Sequence, residues 1–413
     1  MVLADYLTPG GGLDSYLREL EAKGEFSGTV LVGKDDEILF VGAYGLADRS
    51  KKIPMAVDTK LNLGSVNKSF TAVAVCQLIQ EGKLSVNDTV ETFLPEFGEI
   101  SEGRITIERL LTHTAGLGNY MEEEGYRQNV NKIVSVGDTL PYCKRLAYEP
   151  GERYSYSNAG YTVLGAVIEA VSGRDYFDYI DEYIYKAAGM VDSGSYYRDE
   201  DVPNMAIGYV RASAQGGAPM MIMGGSVDRT IEPIPNTPMM PLRGNPAGGG
   251  YSTVEDLFRF IRAVENGVIL KDGFDALVPD GSRDYNYGVG HLNPAAREAI
   301  GHNGGAPGIS VYYEFYRNLG YTFAVQCNLD SSTTALSAMR KNLIPDTVEP
   351  MPPTLEVNGK VVPGATPIVK DGVVYVPVEA LCRELGLMAA PEPLRYGVVK
   401  ISEAPRMMIR KRD

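Results

Sequence analysis

Gly64-Ser65-Val66-Asn67-Lys68-Ser69-Phe70, running on through Thr71-Ala72-Val73-Ala74-Val75-Cys76-Gln77-Leu78-Ile79-Gln80-Glu81 to Gly82, is the stretch around which this chain is organised. The apolar run after Lys68 has no proline and stops at a glycine. That predicts a largely buried helix whose first turn holds Ser65 and Lys68. A spacing of three puts both side chains on one face. A serine hydroxyl is a poor nucleophile until a base takes its proton, and an amine one turn away does so once burial lowers its pKa from about 10.4. The helix start adds free backbone N–H groups beside the nucleophile. A chain of this length holds about one Ser-x-x-Lys by accident, so the motif acquires meaning only from its surroundings.

The bulk properties narrow the classes. The length of 413 residues suits two or three domains with one large core. A formal net charge of −14 argues against nucleic acid and anionic membranes as electrostatically recruited partners. The four cysteines, Cys76, Cys143, Cys327 and Cys382, form no Cys-x-x-Cys pair, so they read as buried thiols rather than a zinc site or a disulfide framework. No apolar run is long enough to span a bilayer, and Met1 to Tyr6 lacks a basic segment followed by an apolar one. The expectation is therefore either a cytoplasmic protein or one that has lost a leader.

Outward from the central stretch, Leu13 to Lys23 reads as an amphipathic helix stopped by Gly24. Strands at Gly28 to Gly33 and Glu37 to Gly42 flank Lys34-Asp35-Asp36 as a hairpin, and Ala43 to Thr59 reads as connecting loop. Ile105 to Leu117 contains a short helix capped by Thr106. His113 follows it, and tying down a loop is the more frequent use of such a histidine than catalysis. After the turn at Pro150-Gly151 comes Tyr156-Ser157-Asn158, then a helix from Thr162 to Val171. On an extended loop Tyr156 and Asn158 point the same way, able to relay a proton and hold a substrate. Tyr-x-Asn recurs at Tyr316-Arg317-Asn318, so the pattern alone carries little weight.

The region from Gly194 to Asn245 is irregular, and its patch Met220-Met221-Ile222-Met223 either fills a core gap or lines a cleft. Ser252 or Thr253 caps a helix ending at Asn266-Gly267. Three strands are expected at Glu298 to Gly301, Ile309 to Tyr316 and Tyr321 to Asn328, with a glycine-rich loop, Gly301 to Gly308, between the first two. Its glycines allow close approach, and its N–H groups can face an oxyanion. A helix from Ser332 to Leu343 closes the unit, and the strands near both ends are expected to join one antiparallel sheet.

Five segments in order carry a family likeness: Ser65-Val66-Asn67-Lys68, Leu110 to Leu117, Tyr156-Ser157-Asn158, Ala247 to Thr253, and His302-Asn303-Gly304. Together they resemble the class C β-lactamase-related serine hydrolases, a family of penicillin-recognising carboxypeptidases, D-aminopeptidases and esterases. The resemblance covers Leu13 to Leu343. It implies an α+β fold of the β-lactamase/transpeptidase type, an antiparallel sheet flanked by helices with a helical lobe and a cleft between them. By the same resemblance Ser65 is the acylated nucleophile, Lys68 its base partner and Tyr156 the proton relay. Asn158, His302, Gly304 and Gly305 are implied on the substrate side, with the Ser65 and Gly305 N–H groups as oxyanion hole. Whether Lys68 or Tyr156 is the base stays open.

One departure matters. The family's β-lactamases carry Lys-Thr-Gly as third element, whereas His302 stands here, and an imidazole is neutral or only partly charged near neutral pH. That points away from β-lactams and towards peptide amides or small esters, with no cofactor. The alternative is a penicillin-binding or ligand-sensing protein that barely turns over. Residues 345–353 read as a proline-rich linker between a hydrolase domain at 1–344 and a small β-β-α module at 354–413. Through Val357-Asn358-Gly359-Lys360 and Asp371 to Val378 this tail resembles the domain found at the N-terminus of copper amine oxidases. It holds no histidine, so copper is not expected. Such modules accompany exported proteins, which implies an extracellular or cell-envelope location.

Overall fold

The computed structural model describes residues 3–211, 232–281, 283–292, 299–329 and 332–344, and the strand backbone of the tail between 354 and 410. The chain divides into two compact units, Met1–Ile344 and Pro345–Asp413.

In the first unit helix α1 (Gly12–Ala22) buries Leu13, Leu17 and Leu20 and leads into strands β1 (Gly28–Lys34) and β2 (Glu37–Tyr44). Helices α2 (Asn67–Gln80), α3 (Asn158–Ser172) and α4 (Val254–Glu265) follow. Strands β3 (Gly290–His291), β4 (Ala299–Ala306), β5 (Ile309–Tyr316) and β6 (Tyr321–Cys327) precede the closing helix α5 (Thr333–Leu343). The sheet order is β2-β1-β6-β5-β4-β3 with every neighbour antiparallel, so strands from both ends of the unit do meet at β1 and β6.

Adjacent residues of β5 show what covers each face, because successive side chains point oppositely. Tyr313 bonds Ser69 of α2 at 2.8 Å and packs its ring against Phe260 of α4. Glu314, one residue on, takes Arg340 Nε of α5 at 2.9 Å. The helical lobe therefore lies on one face and α5 on the other. Helix α2 is buried continuously from Asn67 to Cys76, as its apolar run predicts, and shares one core cluster with α3 and α4. Cys76, Cys143 and Cys327 are buried thiols. No helix among the described residues is long and apolar enough to cross a membrane.

Several expectations need correction. Ser65 does not stand in the α-helix: Gly64–Val66 is a 3-10 turn, and α2 begins at Asn67. Helix α3 begins at Asn158, four residues before the expected Thr162, because Ser157 caps it by accepting from the Gly160 N–H at 3.3 Å. Strand β4 does not end at Gly301 but runs on through the supposed loop, Gly305 facing Ser310 across the ladder. The connector after β2 holds a small hairpin, Leu46–Asp48 against Ile53–Pro54.

In the second unit Thr354–Val357 pairs with Lys360–Val361, and Ile368–Lys370 with Val373–Pro377. Strands Tyr396–Val398 and Ile409–Arg410, absent from the expected β-β-α order, add a third member to each pair. The helix expected after Val378, Cys382 and the methionine patch at 220–223 lie outside the described residues.

Glu314 is fully buried, and its partners are Arg340 and the Tyr316 hydroxyl at 3.0 Å. Removing the guanidinium strands a carboxylate in the core. Arg340→Met is expected to lower the unfolding free energy by about 3 kcal/mol, read from urea denaturation.

Candidate active site

The turn that carries Ser65 is held between two other segments at distances that only glycine permits. A Cβ on Gly304 would fall 1.9 Å from the Leu63 carbonyl, and one on Gly64, whose φ is +50°, would fall 2.9 Å from the Gly305 nitrogen. On the other side the Gly249 N–H donates to the Gly64 carbonyl at 3.1 Å and the Leu63 N–H to Gly250 at 2.7 Å. The glycines of β4 thus serve close approach, and the expected oxyanion-hole residues Ser65 and Gly305 come to lie on touching segments.

Lys68 is fully buried. Its Nζ lies 3.1 Å from Ser65 Oγ and 2.8 Å from Asn158 Oδ1, and it also meets the Ala247 carbonyl. Three oxygens would suit an ammonium, but no carboxylate pairs with Nζ among the described residues. Burial therefore drives the amine well below its ordinary value of 10.5. A neutral amine fits the same positions: its two N–H groups go to the two carbonyl oxygens, and its lone pair receives the Ser65 O–H. Helix α2 and the segment after Asn245 are stitched together further by Asn67 Nδ2 to Asn245 O at 2.9 Å and Thr71 Oγ1 to Pro246 O at 2.7 Å.

Tyr156 closes the constellation. Its hydroxyl lies close enough to Ser65 to feel it, and desolvation pushes its pKa far up, so it keeps its proton. Tyr156 as a residue is 42% exposed, yet its hydroxyl is the desolvated end. Lys68 Nζ sits 4.8 Å from the Tyr156 ring centroid and 5.7 Å from that of Tyr161, faces that stabilise a cation once the amine accepts a proton. Asn158 stands on the first turn of α3 rather than on an extended loop. It still reaches Lys68, while its Nδ2 faces the Met121 sulfur at 3.9 Å.

His113 is the loop tie that its sequence context suggests. Its Nδ1 accepts from the Ser157 N–H at 3.1 Å and its carbonyl from the Ser155 N–H at 2.8 Å, holding Tyr156 from both sides. Its ring lies 4.3 Å from that of Tyr156, and burial keeps it neutral.

His302 is neutral, the first of the two states expected for it: it is 3% exposed, and burial above all pushes it down to about 3. Its Nδ1 bonds the Asn303 carbonyl at 2.7 Å and so carries the proton. Nε2 then accepts from the Tyr285 hydroxyl at 3.0 Å. Both ring nitrogens are engaged within the protein. Tyr285 and Tyr161 went unnoticed in the sequence. Asp284-Tyr285-Asn286-Tyr287-Gly288 was the available signal, an aromatic cluster ending at Gly288, whose φ is +67°. No group of three acidic, histidine or cysteine side chains among the described residues is placed to hold a metal.

Three outcomes follow for the serine and its lysine. Labelling of Ser65 by a fluorophosphonate is expected to rise with pH along a limb centred well below 10.5, and Lys68→Met removes that limb. Lys68 is charged in the unfolded chain and neutral in the folded one, so the unfolded state binds more protons and stability rises with pH up to 10.5. The stability advantage of Lys68→Met over the native chain should shrink across that window in urea titrations. Gly304→Ala, which drives β4 off the turn, is expected to slow the labelling about a hundredfold.

A model of the Beta-lactamase family matches residues 13–344. The protein named "Putative penicillin-binding protein PbpX" of Bacillus subtilis (strain 168) is 31% identical over 315 residues, spanning 76% of this chain and 72% of that protein. The crystal structure of a penicillin binding protein from Bacillus halodurans superposes with a TM-score of 0.68 at 28% identity, covering 79% of this chain and 99% of that one. D-amino acid amidase from Ochrobactrum anthropi SV3 gives a TM-score of 0.64 at 22% identity over 80% of this chain and 98% of that one, a likeness of fold. The family match stops where the tail begins. Since it spans most of the 413 residues, the chain belongs to the Beta-lactamase family.

Proposed function

We propose that this protein is a serine hydrolase that works through an acyl-enzyme on Ser65, cleaving peptide amides or small esters with D-configured or cell-wall-like groups. One observation carries the reading: a buried amine with no counter-charge among the described residues, 3.1 Å from the Ser65 hydroxyl. In the reaction Ser65 Oγ bonds the substrate carbonyl carbon while its proton passes to Lys68, the group of the pair with a free lone pair. Tyr156, still protonated, hands a proton to the departing nitrogen or oxygen and recovers one from Lys68. The Ser65 and Gly305 N–H groups stabilise the oxyanion, and Asn158 holds the substrate amide. Water then attacks the ester by the reverse relay.

A neutral His302 offers no cation for a β-lactam carboxylate, which supports weak or absent β-lactamase activity. The amidase neighbour supports an amide substrate. The tail's likeness to the copper amine oxidase N-terminal domain supports an extracellular or cell-envelope site of action.

A chromogenic ester should release its alcohol in a burst equal to the enzyme concentration, absent in Ser65→Ala, with Lys68→Met slower by about a thousandfold. An unaltered rate in Ser65→Ala would sink the reading. Intact-mass analysis with penicillin separates the sensor alternative, since a long-lived adduct with no ester turnover marks a protein that binds without catalysing.

A further inference from the structure

Beside the Ser65 centre lies a second compartment, a cavity of about 780 Å³ open to solvent, whose wall nearest the nucleophile is Tyr156. Neither Ser65, Lys68 nor Asn158 lines it. Tyr285, His302 and Asn303 continue the wall from Tyr156, and Tyr154 and Leu292 add apolar surface. The far end is charged but balanced, Arg109 and Arg283 against Glu108 and Asp284. Arg283 is already engaged, with Glu108 at 3.0 Å and Asp280 at 3.2 Å, and Arg109 donates to the Arg104 carbonyl. The formal charges of the lining thus cancel, two against two. The volume falls in the range that buries a drug-sized ligand, far beyond what ammonia or a short alcohol needs.

The side of the substrate that enters is fixed by where the proton goes. Tyr156 protonates the departing atom, so whatever is attached to that atom lies next to Tyr156, while the acyl part lies towards Asn158 and Met121. We propose that this cavity is a leaving-group compartment that takes a net-neutral amine of peptide size. The inference rests on the serine-hydrolase reading. During acylation the Ser65 Oγ to carbonyl carbon bond forms, the carbon–nitrogen bond breaks, and the serine proton leaves on the amine, which sits in the compartment before release. Contacts made there by the non-reacting part of the leaving group hold the scissile bond in line.

The test keeps one D-amino acyl group constant and varies what leaves: ammonia, glycinamide, glycylglycinamide and free glycylglycine. For the native chain kcat/KM is expected to rise about tenfold from ammonia to glycylglycinamide, with no further gain from the carboxylate of glycylglycine. In Tyr154→Ala the ratio between the longest and shortest amides falls towards one, whatever happens to the absolute rates. Arg283→Gln makes the lining net negative and shifts preference severalfold towards a leaving group bearing a lysine side chain. A flat series in the native chain, with the ethyl ester of the same acyl group still cleaved through Ser65, overturns the compartment alone. A gain that survives Tyr154→Ala, together with an unmoved preference in Arg283→Gln, overturns it as well. Loss of all Ser65-dependent cleavage, the ethyl ester included, overturns the hydrolase reading and this inference with it.

Discussion

A primary amine shut away from water, with no carboxylate beside it among the described residues, is the constraint to which the rest of the hydrolase unit answers. Lys68 tolerates that position by staying neutral, and a neutral amine needs two acceptors and one donor. They arrive from three directions: Asn158 at the head of α3, the Ala247 carbonyl, and the Ser65 hydroxyl. The same absence of counter-charge extends outward. His113 and His302 are both held neutral by burial. At rest the centre therefore holds basic groups without net charge. A proton moved within it creates charge only where ring faces and backbone dipoles stand ready.

The sheet supplies rigidity at this point and little chemistry. Strand β4 presses Gly304 and Gly305 against the turn that carries Ser65, while β5 behind it anchors α2 through Tyr313 and α5 through Glu314. Alternation along one strand thus couples the nucleophile's helix to a layer on the opposite face.

Much of this was legible in the sequence where a local rule had no competitor. The uninterrupted apolar run after Lys68 gave the buried helix, and the strand pair around Asp35 gave the hairpin. Misreadings arose where one residue type serves two purposes. Glycines in 301–308 suggest a loop, yet here they permit a strand to touch another backbone, a demand visible only once Leu63 is in place. Asn158 looked like loop because Ser157 is as good a cap as it is a turn residue. Tyr285 escaped notice among 26 tyrosines, since its significance lies in reaching the imidazole of a residue 17 positions away.

The seam between α2 and the segment 245–247 has a consequence for how the protein comes into being. The three bonds that join them, from Asn67, Lys68 and Thr71, span 178, 179 and 175 positions of chain. Until that distant segment docks, Lys68 is hydrated and therefore an ammonium, incapable of taking a proton from any alcohol. A chain emerging from the ribosome thus carries its nucleophile long before it can use it.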